Sequence, residues 1–307
     1  MRVICMGECM VELRSAGGDR FVRSYAGDVY NTCVYLKRSL PQADVQFLTA
    51  TGDDAMSRAM RSAWRSERID EALAFVIKGA TPGLYLIETD EAGERSFHYW
   101  RKDSAARRWW QRLREHGEEH LLGADVIYLS GIALAILSAE DRVAVLAMMQ
   151  RLRGRVGRIA FDPNVRASLW ESHNTAVATL SAALAACDLA LPSSDDLNWL
   201  FQLSSPEAQA DRLRDLGVRE IALTLGAHGC LLDHDDSRLA LASPAVARVI
   251  DTSGAGDAFN GAYLAGRLKG LTPALAATGA LAIASRVVTH TGAIIAASQS
   301  HPAGADA

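Results

Sequence analysis

Lysine is scarce in this chain: only Lys37, Lys78, Lys102 and Lys269 among 32 basic residues, the other 28 being arginine. None of the four follows a glycine, which excludes the lysine-bearing phosphate loop G-x-x-x-x-G-K-[ST]. A surplus of one charge is also missing, since the formal net charge is −4. No global positive field therefore draws in nucleic acid or an anionic membrane, and any anionic ligand must be met by local arginines, whose planar forks suit carboxylate and phosphate. Paired cysteines are absent as a pattern: Cys5, Cys9, Cys33, Cys187 and Cys230 are odd in number, scattered in apolar contexts, and form no C-x-x-C. They read as buried thiols of a reducing, cytoplasmic setting. No run reaches the roughly 18 apolar residues of a membrane span, the Ala-rich stretch 273–284 being short and followed by Arg286. The N-terminal apolar stretch carries Glu8 and Glu12, which the core of a secretory leader would not tolerate. Repeats and low-complexity tracts are lacking too. What remains, 49% hydrophobic and 22% charged residues in a chain of 307, is the composition of a soluble globular protein built as one large unit with an appendage.

Short β-branched runs at residues 3–5, 45–48, 126–129, 159–161, 189–191 and 221–223 predict strands. The segments 54–66, 139–153, 174–186 and 206–216 place apolar residues at i, i+3 and i+4 and predict helices. This alternation specifies an α/β protein with a mostly parallel sheet covered by helices on both faces, whose ligands gather at the carboxyl ends of the strands. Residues 9–14, 84–88 and 95–100 break the pattern as three further strands, the last two joined by the polar loop 89–94. They predict a small β-sheet lid that covers a ligand, pairs with another subunit, or both. The expected division is a core of residues 1–8, 26–73 and 104–307 with a lid of residues 9–25 and 74–103.

The most informative segment is Asp251-Thr252-Ser253-Gly254-Ala255-Gly256-Asp257-Ala258-Phe259-Asn260-Gly261, expected to follow a strand at 247–250 and to open a helix. Its glycines permit a turn in which successive backbone N–H groups converge, and the helix N-terminus adds partial positive charge. Gly254, Ala255 and Gly256 thus form a candidate anion hole. Asp257 falls beside it, able to take a proton from a hydroxyl attacking a bound phosphate, with a plain helix-capping role as the simpler alternative. A dinucleotide fingerprint is excluded, because position 259 is phenylalanine where the third glycine should fall.

This segment closely resembles the signature of the ribokinase-like (PfkB) carbohydrate kinases. Met6-Gly7-Glu8-Cys9-Met10-Val11-Glu12-Leu13, Ala26-Gly27-Asp28-Val29-Tyr30-Asn31, Pro82-Gly83-Leu84-Tyr85 and Phe97-His98-Tyr99-Trp100-Arg101 resemble the branch of that family that phosphorylates the acid sugar 2-keto-3-deoxygluconate. The likeness runs from residue 3 to about 295. It implies a ribokinase-like fold, transfer of phosphate from ATP to the sugar's terminal hydroxyl, and Mg²⁺ as cofactor, with a monovalent cation left open. By the same resemblance Asp257 is the base and Gly27, Asp28 and Asn31 hold sugar hydroxyls. Tyr85, Tyr99, Trp100 and Arg101 close over the substrate, and Arg166 is shared between substrate and nucleotide. Asn164, Thr224, Gly226 and Gly229 line the nucleotide, and Asp196 stands near the metal. The chain departs from the family at Ser193, where asparagine is common, and at Thr224, where some members of this branch carry lysine. A small acid sugar is the implied substrate, neither nucleic acid nor membrane is an implied partner, and a homo-oligomer formed through the lid is expected. Fructose, ribose or an isomeric keto-deoxy acid as substrate stays open, as does a silent sugar-binding protein. His116-Gly117-Glu118-Glu119-His120 fits a zinc motif but reads more simply as a charged surface stretch, and His228 as a surface residue.

Overall fold

The computed structural model describes residues 1–89 and 95–300. Thirteen strands form among them: β1 (Arg2–Met6), β2 (Met10–Ser15), β3 (Phe21–Ala26), β4 (Asp44–Gly52), β5 (Ala74–Ile77), β6 (Leu84–Thr89), β7 (Arg95–Trp100), β8 (Val126–Ser130), β9 (Ile159–Asp162), β10 (Leu189–Ala190), β11 (Glu220–Thr224), β12 (Cys230–His234) and β13 (Ser237–Leu241). The helices are α1 (Asp28–Ser39), α2 (Ala55–Ser66), α3 (Trp109–His116), α4 (Gly131–Ala135), α5 (Ala139–Leu152), α6 (His173–Ala186), α7 (Ser194–Phe201), α8 (Pro206–Asp215), α9 (Ala255–Leu268), α10 (Pro273–Val287) and α11 (Ala297–Ser300).

Nine strands make one large sheet in the order β13-β12-β11-β10-β9-β8-β1-β4-β5, parallel except for the antiparallel β12 and β13. Its central members β8 and β9 are buried along their whole length, as a parallel sheet sandwiched between helix layers requires. One layer packs Trp109, Trp110, Met148 and Leu180 against it, and the other Tyr30, Trp64, Phe259 and Tyr263. Helix starts follow capping chemistry: Asp54 accepts the amides of Met56 and Ser57 at 2.7 and 3.2 Å, and Thr272 with Pro273 opens α10. The fold class expected from the alternating pattern is the one observed.

The lid is a second sheet in the order β3-β2-β6-β7, with β2 and β6 parallel. Of the segment 74–103 assigned to it, β5 instead lies at the edge of the large sheet, where Thr49 pairs with Ala74 and Gly52 with Ile77. Phe75 and Ile77 explain the difference, because they bury in the same cluster as Trp109 and Trp110. The loop expected over 89–94 lies outside the described residues from Asp90 to Glu94.

Residues 247–250 are not a strand. The amides of Ile250 and Asp251 go to Val288 O, at 2.7 and 3.2 Å, at the end of α10, and β13 takes the sheet edge. The hairpin β12–β13 goes beyond the strands expected from the sequence, and it turns through Asp235 and Asp236, both at positive φ. No helix among the described residues is long and apolar enough to cross a membrane.

Candidate active site

The carboxyl ends of β1, β9 and β11 and the starts of α1 and α9 carry most of the candidate residues. Gly254 caps α9 at φ 73, and a Cβ there would lie 2.5 Å from Ala293 O, so both backbone conformation and space demand glycine. Asp251, buried, ties this turn down: its Oδ1 accepts the Ser253 amide and its Oδ2 the Gly292 amide, each at 2.8 Å. A Cβ on Gly256 would meet nothing within 4 Å, so the backbone there faces open space. The amides of Gly256 and Asp257 belong to the first turn, where an α-helix offers no internal acceptor.

Asp257 is half-buried beside these amides. Its Oδ2 accepts Asn31 Nδ2 at 2.8 Å, and its main-chain oxygen accepts Thr32 Oγ1 at 3.3 Å. Loss of hydration pushes its carboxyl up to about 7, helped by the neighbouring charge of Asp28 and opposed by the Asn31 hydrogen bond and the Arg166 charge. Asp28 is itself fixed by Asn164 Nδ2 at 2.9 Å. Asn164 follows β9 with φ 32, and its amide donates to Asp162 Oδ1 at 2.9 Å, a side-chain turn that asparagine tolerates in the left-handed region. Asp162 also accepts Asn260 Nδ2 at 2.8 Å. Burial, then the charges of Asp196, Asp257 and Asp28, push the Asp162 carboxyl well up. Asn31 and Asn164, both expected to touch ligands, are thus committed to carboxylates of the protein.

Gly27 caps α1 and Asp28 is its first residue. Gly27 is in extended backbone, and its need for glycine is spatial, since a Cβ would lie 2.2 Å from Glu8 O. Arg166 is exposed in the loop after β9, and its Nη1 donates to Val165 O at 2.9 Å.

In the lid one row of side chains crosses all four strands: Ser24, Glu12, Tyr85 and Tyr99 are register partners. Glu12, buried, accepts Ser24 Oγ at 2.7 Å and the Tyr85 hydroxyl, and Tyr85 stacks on Tyr99 with centroids 5.6 Å apart. Burial and the Glu12 carboxylate push the Tyr85 phenol up, so it stays protonated and donates. Trp100, expected with Tyr99 among the sugar contacts, alternates to the other side of the strand and is 60% exposed. The structure does not bring it to the Tyr85–Tyr99 face.

Arg101 is only 8% exposed. Its Nη2 pairs with Glu8, which also accepts Ser104 Oγ, while its Nε is buried without a partner among the described residues. Glu8 and Glu12 are additions to the residues expected at the site. The available signal was two carboxylates inside an apolar run, since buried charges require partners.

Among the residues expected to line the nucleotide, Thr224 N and Oγ1 both bond Pro192 O, at 2.9 and 3.3 Å. Gly226, at φ 58, has open space before it. A Cβ at Gly229 would lie 1.9 Å from Leu241 O, so this glycine serves packing against β13. Asp196 accepts the Val165 amide at 2.8 Å and Ser193 Oγ at 2.7 Å, and burial pushes its carboxyl up. No three His, Cys, Asp or Glu groups converge as a metal cage among the described residues. A single carboxylate with spare lone pairs fits Mg²⁺ that arrives on nucleotide phosphates and keeps most of its water. His116 packs on Phe75 with ring centroids 4.5 Å apart and tilted planes, and His228 is exposed.

The model of the pfkB family carbohydrate kinases matches residues 1–300. The chain belongs to that family. It is 38% identical over 301 residues to the 2-dehydro-3-deoxygluconokinase of Escherichia coli, covering 96% of this chain and 97% of the relative. Among solved structures, a PfkB protein from Polaromonas sp. JS666 superposes with TM-score 0.85 at 26% identity, covering 94% of this chain and 96% of that one. Aminoimidazole riboside kinase from Salmonella enterica, complexed with aminoimidazole riboside and an ATP analog, superposes with TM-score 0.82 at 25% identity over 95% of each chain.

Proposed function

We propose that this kinase transfers the γ-phosphoryl group of ATP to the terminal hydroxyl of 2-keto-3-deoxygluconate (2-dehydro-3-deoxygluconate), yielding 2-keto-3-deoxy-6-phosphogluconate and ADP. The observation that carries the reading is Asp257, held beside first-turn amides that have no acceptor inside their helix, with its carboxyl raised to about 7. A base with that affinity takes up the hydroxyl proton as the oxygen attacks phosphorus, while the amides of Gly256 and Asp257 and the Arg166 guanidinium meet charge on the transferring group. Gly27 and Asp28 hold sugar hydroxyls. Tyr99 covers the sugar through its stack on Tyr85. Gly226 and Thr224 border the nucleotide, and Asp196 orients a hydrated Mg²⁺, which supplies charge neutralisation of the phosphates when bound. The 38% identity to named 2-dehydro-3-deoxygluconokinases supports the acid-sugar substrate. So does Arg101, a buried guanidinium with an unpartnered Nε that a substrate carboxylate would satisfy.

Asp257→Asn tests the base directly. ATP and sugar binding by calorimetry should persist while turnover falls by about 10³-fold or more, the range expected when acid–base chemistry and its geometry are lost together. Near-normal turnover would contradict the assignment. The lid also exposes Phe21, Val22, Phe97 and Trp100, which supports pairing with a second copy. Trp100→Glu should then lower the sedimenting mass of the assembly, and a monomeric parent protein would remove that idea.

A further inference from the structure

Asn31 lies in the first turn of α1 and is 4% exposed. Family likeness groups it with Gly27 and Asp28 as a sugar contact, yet its side chain is used inside the protein. Its Nδ2 donates to Asp257 Oδ2 at 2.8 Å, and its Oδ1 accepts the Gly27 amide at 3.4 Å. The next residue, Thr32, holds the main-chain oxygen of Asp257. Two consecutive residues of α1 therefore grip the side chain and the backbone of one residue of α9. The helices come close enough for this because of Gly261, where a Cβ would lie 2.5 Å from Thr32 O and 2.7 Å from Leu36 N. With Oδ2 taken by Asn31, Asp257 Oδ1 is the oxygen without a hydrogen bond among the described residues.

We infer that Asn31 is a positioning residue for the reaction, orienting the Asp257 carboxylate so that Oδ1 is presented to the attacking hydroxyl, and not itself a sugar-binding group. The inference rests on the reading of Asp257 as the base. A carboxylate pinned at one oxygen by a neutral donor cannot turn its free oxygen away, and reactions of this kind depend on such positioning. The donor also favours the ionised form. The other groups facing Asp257 are Asp28 and Tyr35 on α1, Tyr128 on β8, Asp162 on β9 and Arg166 in the loop that follows. Asp28 disfavours ionisation and Arg166 favours it, both through charge, whereas Asn31 acts through a direct hydrogen bond.

The test uses the full chain with Asn31→Ala and the near-isosteric Asn31→Asp, measuring kcat, both KM values and melting temperature from mildly acidic to mildly alkaline pH. Asn31→Ala should lower kcat roughly 10- to 100-fold, the loss of one hydrogen bond to a charged group, with sugar KM within about twofold. The acid limb of its kcat profile should move to higher pH. Asn31→Asp should move that limb further, by placing a second acid against the first. A sugar KM raised about tenfold with kcat and the limb unmoved would overturn the inference in favour of a sugar contact. A joint fall of kcat, ATP affinity and melting temperature with the limb unmoved would overturn it in favour of packing alone. Asp257→Asn in the same series separates the two failures, because full turnover there removes the base itself.

Discussion

Asp257, the base proposed above, is where hydration loss and proton transfer would pull on the same group. Burial comes first and the Asp28 charge second in raising its carboxyl, against Asn31 and Arg166, and the result is about 7. A base works when ionised, so kcat should fall as pH drops through about 7 and level off on the alkaline side, which a stopped ADP assay across pH would record. The sign for stability is the reverse. Folding raises this carboxyl, so its contribution is fully present at low pH and lost as pH rises through about 7. Asp257→Asn should therefore raise the melting temperature more at about pH 8 than at about pH 5; an equal shift at both would contradict the burial of the charge. Arg101 offers a second residue-scale prediction. Arg101→Met should lower kcat/KM for an acid sugar roughly 10- to 100-fold and leave a neutral sugar near its starting rate. It should also cost stability, because Glu8 is left buried without its partner. Glu8 and Glu12 are visible in the sequence as anomalies of an apolar run. Their partners are not, since Arg101 lies 93 residues from Glu8 and Tyr85 lies 73 from Glu12. Asn31 and Asn164 stand out as polar groups at the right loops, but only tertiary packing reveals that each spends its amide on a protein carboxylate.

At the scale of elements, period and turn chemistry made most of the large sheet legible. The strand expected at 221–223 is β11, and the helix expected over 206–216 is α8, opened by Ser205 and Pro206. The failures have physical causes. Val249 and Ile250 are β-branched and apolar, but the sheet edge is occupied by β13 and the Ile250 amide finds the end of α10 instead. The hairpin β12–β13 escaped because its turn is Asp235-Asp236, with no glycine to announce a positive φ. The α1–α9 contact carries an element-scale prediction. Gly261→Ala adds a Cβ 2.5 Å from Thr32 O, so the helices must separate. Overpacking of this kind costs about 1–3 kcal/mol, and kcat should fall with it because the Asn31 to Asp257 bond lengthens. A variant that melts earlier at full kcat would show that the site tolerates the shift.

Across the whole molecule the two edges of the large sheet divide the work. The carboxyl edge gathers Asp257, Asp28, Arg166 and the glycine turns. The opposite edge holds an ionic knot in which buried Glu220 accepts Tyr263 OH at 2.6 Å and both Arg158 Nη1 and Arg267 Nε at 2.7 Å. Burial pushes the Glu220 carboxyl up, but the hydrogen bonds from Arg267 and Tyr263 and the charge of Arg158 outweigh it, so the net shift is downward. A lowered carboxyl stabilises above its unfolded value and loses that contribution as pH falls through its folded value. Glu220→Gln should thus destabilise the protein by about 3 kcal/mol or more near neutrality, with the gap to the parent closing under acid in urea titrations. A gap that persists in acid would contradict the ionic reading.

The substrate assignment rests on two groups acting together, Arg101 for a carboxylate and Asp257 for a hydroxyl. The most direct test is ADP release by the purified protein with ATP and Mg²⁺ against 2-keto-3-deoxygluconate, its galacto epimer, fructose, ribose and no sugar. Turnover confined to the keto-deoxy acids, and highest with 2-keto-3-deoxygluconate, is the result expected. Preference for fructose or ribose would contradict the acid-sugar assignment while keeping the kinase, and silence with every sugar would contradict both.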